Sequence, residues 1–218
     1  KSILLIDRNS QVAFGASGAA GAFLSPLLGK ANDFKDLITK SLIFSTNFYK
    51  NLGQELISNC GVCRIPKNQE DSDKFESYKP YMDFEYTQMN DGYFFEIGSQ
   101  VTPSLICEKL TKDIEKKLSY NVIKLEQNEN FTWIINDEIC AKNIILTTGA
   151  DVKHIKEEYF DIRGVWGQKI DVSTTTETKI NYHKECSVSK ASKIENTKFF
   201  KVSIGATHHK FNCDKNIC

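Results

Sequence analysis

The sequence predicts a mixed α/β fold, of α/β character in its first part and dominated by β-strands in its last. Three observations carry that prediction. Ile3-Leu4-Leu5-Ile6 is a short apolar run with the length of a buried parallel strand. Residues 34–56 repeat apolar side chains at helical spacing. Beyond residue 151 that periodicity is lost and Thr- and Lys-rich, β-type sequence takes over.

Taken in order, the opening stretch, residues 2–26, is the most informative. Its apolar run ends on Asp7, and after a polar turn comes a loop of small residues, Gly15-Ala16-Ser17-Gly18-Ala19-Ala20-Gly21. In a dinucleotide-binding fold the second parallel strand ends in an acid whose carboxylate accepts hydrogen bonds from ribose hydroxyls. Small residues then let the backbone approach a bulky, charged ligand. Apolar positions 34, 37, 38, 42, 48, 49, 52 and 56 predict a long helix, with Asn32 or Asp33 as N-cap and Gly53 and Gly61 near its end. Residues 61–66 read as a strand and 67–83 as a polar surface loop or short helix. Asp91-Gly92 reads as a turn before the β-rich residues 93–97.

Thr102 as N-cap and Pro103 at the first helical position open a second helix, with Ile106, Leu110 and Ile114 on one face. Residues 120–125, 131–135 and 138–147 read as three strands joined by Asn/Asp turns. The last runs through Asn143-Ile144-Ile145-Leu146 into Thr147-Thr148-Gly149-Ala150. Tyr182-His183 and residues 187–189 lead into a further strand at 198–206.

Composition narrows the function. The chain has 218 residues, 40% hydrophobic and 26% charged, which is ordinary globular composition and enough for one large or two small domains. No apolar run approaches the ~18 residues of a membrane span, so no membrane partner is expected. Basic and acidic residues number 28 each, leaving no overall basic footprint for nucleic acid. The only arginines are Arg8, Arg64 and Arg163, too few for an RNA surface built on guanidinium forks, although lysines could form a local patch. Seven scattered cysteines, an odd number, point to reduced thiols and a cytoplasmic location. Cys60-Gly61-Val62-Cys63 has metal-ligand or redox spacing, and His208, His209 and Cys213 could supply a second ligand pair. The simpler reading makes the pair small buried hydrophobes where a helix gives way to a strand.

The motifs together resemble one family. They are Asp7-Arg8 closing a strand, then Gly15-Ala16-Ser17-Gly18 followed by Gly21 and Ser25-Pro26. To these are added Thr147-Thr148-Gly149-Ala150, the Arg163-to-Gln168 stretch, and Ile204-Gly205-Ala206-Thr207. In this set the chain resembles the FAD-dependent oxidoreductases of the D-amino-acid oxidase/glycine oxidase family. Within it, the chain is most similar to the flavin domain of the bacterial bifunctional enzymes that modify the tRNA wobble uridine.

The resemblance implies a Rossmann-like FAD-binding domain, residues 1–30 and 119–155, interleaved with an antiparallel-sheet substrate domain, residues 31–118 and 156–218. It implies FAD held by Asp7, Arg8, Ser17, Gly18, Val122, Thr148 and Gly149, with a backbone amide and carbonyl at Val122 or Ile123 against the adenine. His208, ending the Ile204–Thr207 strand, becomes the candidate catalytic residue near the flavin. The family's G-x-G-x-x-G, which lies just before the Asp7 strand, is not in this sequence. A fragment is therefore expected, lacking that first strand and a final flavin-binding loop and helix, binding FAD poorly and inactive alone.

In such enzymes a hydride leaves the carbon beside an amine for the flavin, and the protein supplies binding, orientation and exclusion of water. The expected substrate is a secondary or primary amine. It is either the carboxymethylaminomethyl-uridine of tRNA or a free amino acid such as glycine or sarcosine. The remaining alternative is a non-catalytic remnant. A substrate carboxylate wants an arginine fork. Arg64 and Arg163 are the candidates for it, each read more simply as a surface or interdomain ion pair.

Overall fold

The structure, a computed structural model, describes residues 2–19, 21–29, 32–89, 92–151, 162 and 164–207. In chain order the elements are β1 (Leu4–Ile6), α1 (Ala16–Ala19), β2 (Phe23–Leu24), α2 (Lys35–Leu52), β3 (Ile57–Ser58), β4 (Val62–Arg64), α3 (Gln69–Tyr78), β5 (Thr87–Met89), β6 (Gly92–Phe95) and β7 (Ser99–Val101). There follow α4 (Pro103–Leu110), β8 (Glu115–Lys117), β9 (Leu125–Gln127), β10 (Trp133–Ile135), β11 (Ile139–Ala141), β12 (Lys169–Thr174), β13 (Asn181–His183), β14 (Ser187–Val188), β15 (Ser192–Lys193) and β16 (Phe200–Gly205). They form a parallel pair β1–β8, a meander β9–β10–β11, a small sheet β2–β7–β3 and one large sheet. The large sheet runs β12–β16–β14–β13–β4–β6–β5, with β15 added to β16.

The large sheet owes its core to strand alternation. Val62 pairs with Phe95 and Arg64 with Tyr93, so these four side chains share one face. Phe75 of α3 covers that face, and Tyr86 meets Tyr93 edge-on at 4.9 Å. Asn68 starts α3 by accepting the Asp71 N–H at 2.9 Å, which turns a polar stretch into a helix with a single buried anchor. β13 lies parallel to β4 within an otherwise antiparallel sheet. Its Asn181 is fully buried, donating to Cys60 Sγ at 3.1 Å and accepting from Lys190 N at 2.9 Å. A second core joins Leu56, Ile57, Val101 and Ile106, with Tyr49 and Leu52 of α2 against it.

Several elements differ from expectation. α2 starts one turn after Asn32, whose side chain accepts the Phe34 N–H at 2.9 Å, and ends at Leu52 rather than running to residue 56. Of its apolar stripe, Leu42 is buried, whereas Phe34, Leu37 and Phe48 lie exposed. α4 stops at Leu110, so Ile114 is in the following turn and not on the helix. Residues 120–124 are not a strand, and the strands fall on either side of them, in β8 and β9. β1 is parallel, as expected, but only half-buried.

The largest correction concerns residues 143–147, which form no strand and leave Ile145 87% exposed. A strand exists through its partner's hydrogen bonds, whatever its composition. Among the described residues β1 pairs with β8 alone, and no strand lies alongside 143–147.

Two outcomes follow. Phe95→Ala, emptying the centre of the large sheet's core, should lower unfolding free energy by about 3–5 kcal/mol in urea titrations. On the outer strands Asp171 accepts from Ser203 Oγ at 2.5 Å and Lys201 Nζ at 2.9 Å. These bonds lower its carboxyl from the ordinary 3.8 to about 2. A depressed carboxyl contributes stability above its unfolded value and loses it as pH falls through the folded one. Between pH 5 and pH 2.5, wild type should therefore lose more of its urea midpoint than Asp171→Asn does.

Candidate cofactor site

The site begins with the backbone of Asp7. Its N–H donates to the Lys117 carbonyl at 3.2 Å, extending the β1–β8 ladder by one bond. Its own carbonyl accepts from Tyr120 N at 2.9 Å, and Ser119 N donates to the Asn9 carbonyl at 2.8 Å. The segment after β8 is thus drawn across the C-terminal end of β1. This is the end of a parallel strand at which α/β sheets receive ligands. In the Asp7 side chain, Oδ1 accepts from Asn9 N (2.8 Å) and Asn9 Nδ2 (2.9 Å), an Asx turn that fixes the carboxylate. Oδ2 makes no hydrogen bond among the described residues.

Arg8 Nη1 meets Asp151 Oδ2 at 2.9 Å, tying β1 to the turn in which Asp151 N donates to the Thr148 carbonyl at 3.3 Å. Gly149 in that turn has φ +64°, in the left-handed region that favours glycine, and a Cβ there would meet nothing within 4 Å. Asp7, Arg8, Thr148, Gly149 and the 119–122 segment containing Val122 are therefore brought together.

Ser17 and Gly18 are placed differently. Ser17 is exposed on the short α1, and no hydrogen bond among the described residues joins it to Asp7. A Cβ on Gly18 would come within 1.9 Å of the Ala13 carbonyl oxygen, where Ala13 itself has φ +58°. The loop's own closure is by itself a reason for glycine at this position. His208 and Arg163 lie outside the described residues. The strand leading to His208 is anchored reciprocally, Gln168 N donating to Thr207 Oγ1 at 3.0 Å and Thr207 N to the Gln168 carbonyl at 3.1 Å.

Arg64, read as a carboxylate clamp or more simply as an ion pair, makes no ion pair among the described residues. Its Nη1 donates to Ser25 Oγ at 3.2 Å, and its Nε is buried without a hydrogen-bond partner among the described residues. Burial pulls its pKa below the ordinary value, with the Asp71 charge opposing. It props the Ser25-Pro26 loop onto the large sheet. Of the Cys60–Cys63 pair, Cys63 is buried, with its thiol pushed up by desolvation, and Cys60 takes the Asn181 bond. A cleft too narrow to admit water is lined by Gly21, Phe23, Lys169, Ser187 and Ser203. A larger, open depression of about 460 Å³ is lined by residues within 79–86, none of which belongs to the Asp7 group.

Sequence reasoning read Asn136-Asp137 only as a turn. The structure gives this turn more to do. Asn136 (φ +50°) and Asp137 (φ +59°) are the left-handed residues of the three-residue connection, 136–138, between β10 and β11, a conformation that Asn and Asp tolerate. All three polar side chains of the turn reach back. Asn136 Oδ1 accepts from Ile123 N (2.9 Å) and Lys124 N (3.0 Å), and its Nδ2 donates to the Asn121 carbonyl (2.9 Å). Asp137 pairs with Lys124 at 2.8 Å. Glu138 accepts from Tyr120 OH at 2.9 Å and Lys117 Nζ at 3.2 Å, which hold its carboxyl below the usual range. The signal was the bare Asn-Asp pair between two apolar runs. Its target, a segment twelve to fifteen residues upstream, has no sequence signature.

No protein-family model and no curated protein sequence matches the chain. Its fold does have close counterparts among solved structures. Glycine oxidase from Geobacillus kaustophilus superposes with a TM-score of 0.70 at 11% identity, covering 96% of this chain and 66% of that one. Iminodiacetate oxidase from Chelativorans sp. BNC1 gives 0.70 at 16% identity, covering 100% and 69%. L-α-glycerophosphate oxidase from Mycoplasma pneumoniae, solved with FAD bound, gives 0.65 at 13% identity, covering 94% and 65%. The chain has the fold of these oxidases and spans about two-thirds of their length.

The two glycines should separate on substitution. Gly18→Ala should lower the melting temperature measured without any ligand, because the Cβ must displace a backbone carbonyl, at a cost of about 1–3 kcal/mol. Gly149→Ala, strained only in its own φ, should cost about 1 kcal/mol.

Proposed function

We propose that this chain belongs to an FAD-dependent oxidoreductase that oxidises an amine. The observation that carries the reading is Asp7: a carboxylate fixed through one oxygen, its other oxygen without a hydrogen bond among the described residues, at the C-terminal end of a parallel strand. The fold shared with glycine and iminodiacetate oxidases supports it. In this reading residues 1–30 and 119–155, together with the β8 strand that pairs with β1, make a Rossmann-like cofactor domain, and the rest of 31–118 with 156–218 the substrate domain.

The groups present suit the adenosine half of FAD. Asp7 Oδ2 would accept from ribose hydroxyls. The Thr148–Gly149 turn, held by Arg8–Asp151, offers backbone with open space before it. The segment 119–122, which ends at Val122, would lie on the side of the base. When bound, FAD supplies the hydride acceptor for the carbon beside the amine. The protein's own contribution is orientation and exclusion of water, with His208 as the proposed residue near the reacting centre.

Glycine and iminodiacetate are both amines bearing a carboxymethyl group, and a small free amine of that class is the proposed substrate. The same group on tRNA, as carboxymethylaminomethyl-uridine, is the second reading, supported by the resemblance of residues 15–28. Balanced charge and three arginines favour the free amine. Salt separates the two. Turnover of tRNA should fall steeply between 50 and 200 mM salt, and turnover of a free amine should not.

Fluorescence titration of the purified chain should show saturable, if weak, FAD binding. Asp7→Ala should weaken it at least tenfold, as expected for a lost hydrogen bond to a charged group. A folded wild-type chain with no saturable FAD binding would overturn the cofactor assignment.

A further inference from the structure

We infer, resting on the amine reading above, that Arg64 holds the substrate's carboxylate at the seam between segment 21–25 and the large sheet.

Strand register sets the position. Paired residues on neighbouring strands project from the same face of a sheet. Lys169 pairs with Gly205, Gly205 with Ser187, Ser187 with His183, and His183 with Arg64. One polar row, Lys169–Ser187–His183–Arg64, therefore crosses five strands on one face. Segment 21–25 lies over it. At one end Gly21 and Phe23 line the narrow cleft with Lys169 and Ser187, and at the other Ser25 Oγ meets Arg64. The row thus faces the place where the proposed cofactor domain meets the substrate sheet, and small-molecule sites favour such boundaries.

Electrostatics single out Arg64 within the row. Lys169 has Asp171 at 3.6 Å, whereas Arg64 has no ion pair among the described residues. A guanidinium carries five N–H donors. Here one acceptor meets it, Ser25 Oγ on Nη1 at 3.2 Å, and its Nε is buried with no partner among the described residues. The Asp71 charge acts on it from beyond ion-pair range, Asp71 Oδ2 accepting from Lys67 N at 3.0 Å. A cation drawn from water is costly unless it is paired. A carboxylate brings the missing charge and two oxygens in the planar geometry that a guanidinium fork matches. Ser25 is the occupant it displaces. That hydroxyl is neutral and also donates to the Pro26 carbonyl at 3.4 Å, and a charge-assisted bond is about twice as strong as a neutral one.

The test is an anaerobic calorimetric titration of the purified chain, with and without FAD, using iminodiacetate and its uncharged diamide. Wild type should bind the diacid about tenfold or more tightly than the diamide, as expected for hydrogen bonds between charged groups. Arg64→Met puts an apolar chain where the buried charge was, a change that cores tolerate, and should abolish the preference. Arg64→Lys keeps the charge but not the fork and should retain only part of the preference, which decides the matter if Arg64→Met does not fold. Ser25→Ala removes only the competitor and should bind the diacid at least as tightly as wild type. A preference left intact in Arg64→Met or Arg64→Lys overturns the inference, as does a Ser25→Ala variant that loses diacid binding. A wild type that binds FAD but does not prefer the diacid overturns it too, and leaves the flavin reading standing. A folded wild type with no saturable FAD binding sinks the flavin reading, and the substrate role of Arg64 with it.

Discussion

The candidate site depends on peptide hydrogen bonds made at Asp7, to Lys117 on one side and Tyr120 on the other. They join two stretches of chain separated by the whole of α2, α3 and α4. Each such bond contributes only about 0.5–1.5 kcal/mol net, but together they decide which segment lies across the end of β1. The Arg8–Asp151 ion pair at the same place has one partner more than half exposed and adds about 0–1 kcal/mol. The arrangement is therefore held by main chain and reinforced by the Asn136–Glu138 turn. Charge plays the smaller part.

This hierarchy explains what could be read from the sequence. Asp7 at a strand end, the strand at 62–64, the Thr102-Pro103 helix start and the late β-rich half were legible, because each is written in a few adjacent residues. Features that depend on partners were not. The apolar run 143–147 has strand composition, yet no described strand offers it a ladder, so Ile145 stays in solvent. The strand expected over 120–125 was displaced because Asn136 consumes the amides of Ile123 and Lys124. Gly18 looked like a cofactor glycine, and only the position of the Ala13 carbonyl shows the packing reason for it. Arg64 read most simply as half of an ion pair, and the folded chain gives it Ser25 instead.

The parallel seam between β4 and β13 has a consequence for how the protein comes to be made. Asn181 reaches Cys60 across 121 positions, and Val62, fully buried, has Asn181 as its neighbour on one side. On the ribosome, β4 can pair with β6 early. Its other edge stays open until residues 181–183 have emerged. Closure there is non-local, and its loop entropy must be met before any contact returns it. During that interval Val62 and Cys63 stand at an unpaired strand edge, the kind of surface on which chains join one another instead of completing themselves. Nascent-chain aggregation should therefore be governed by how quickly residues 181–183 arrive. The stability of the finished sheet has little bearing on it.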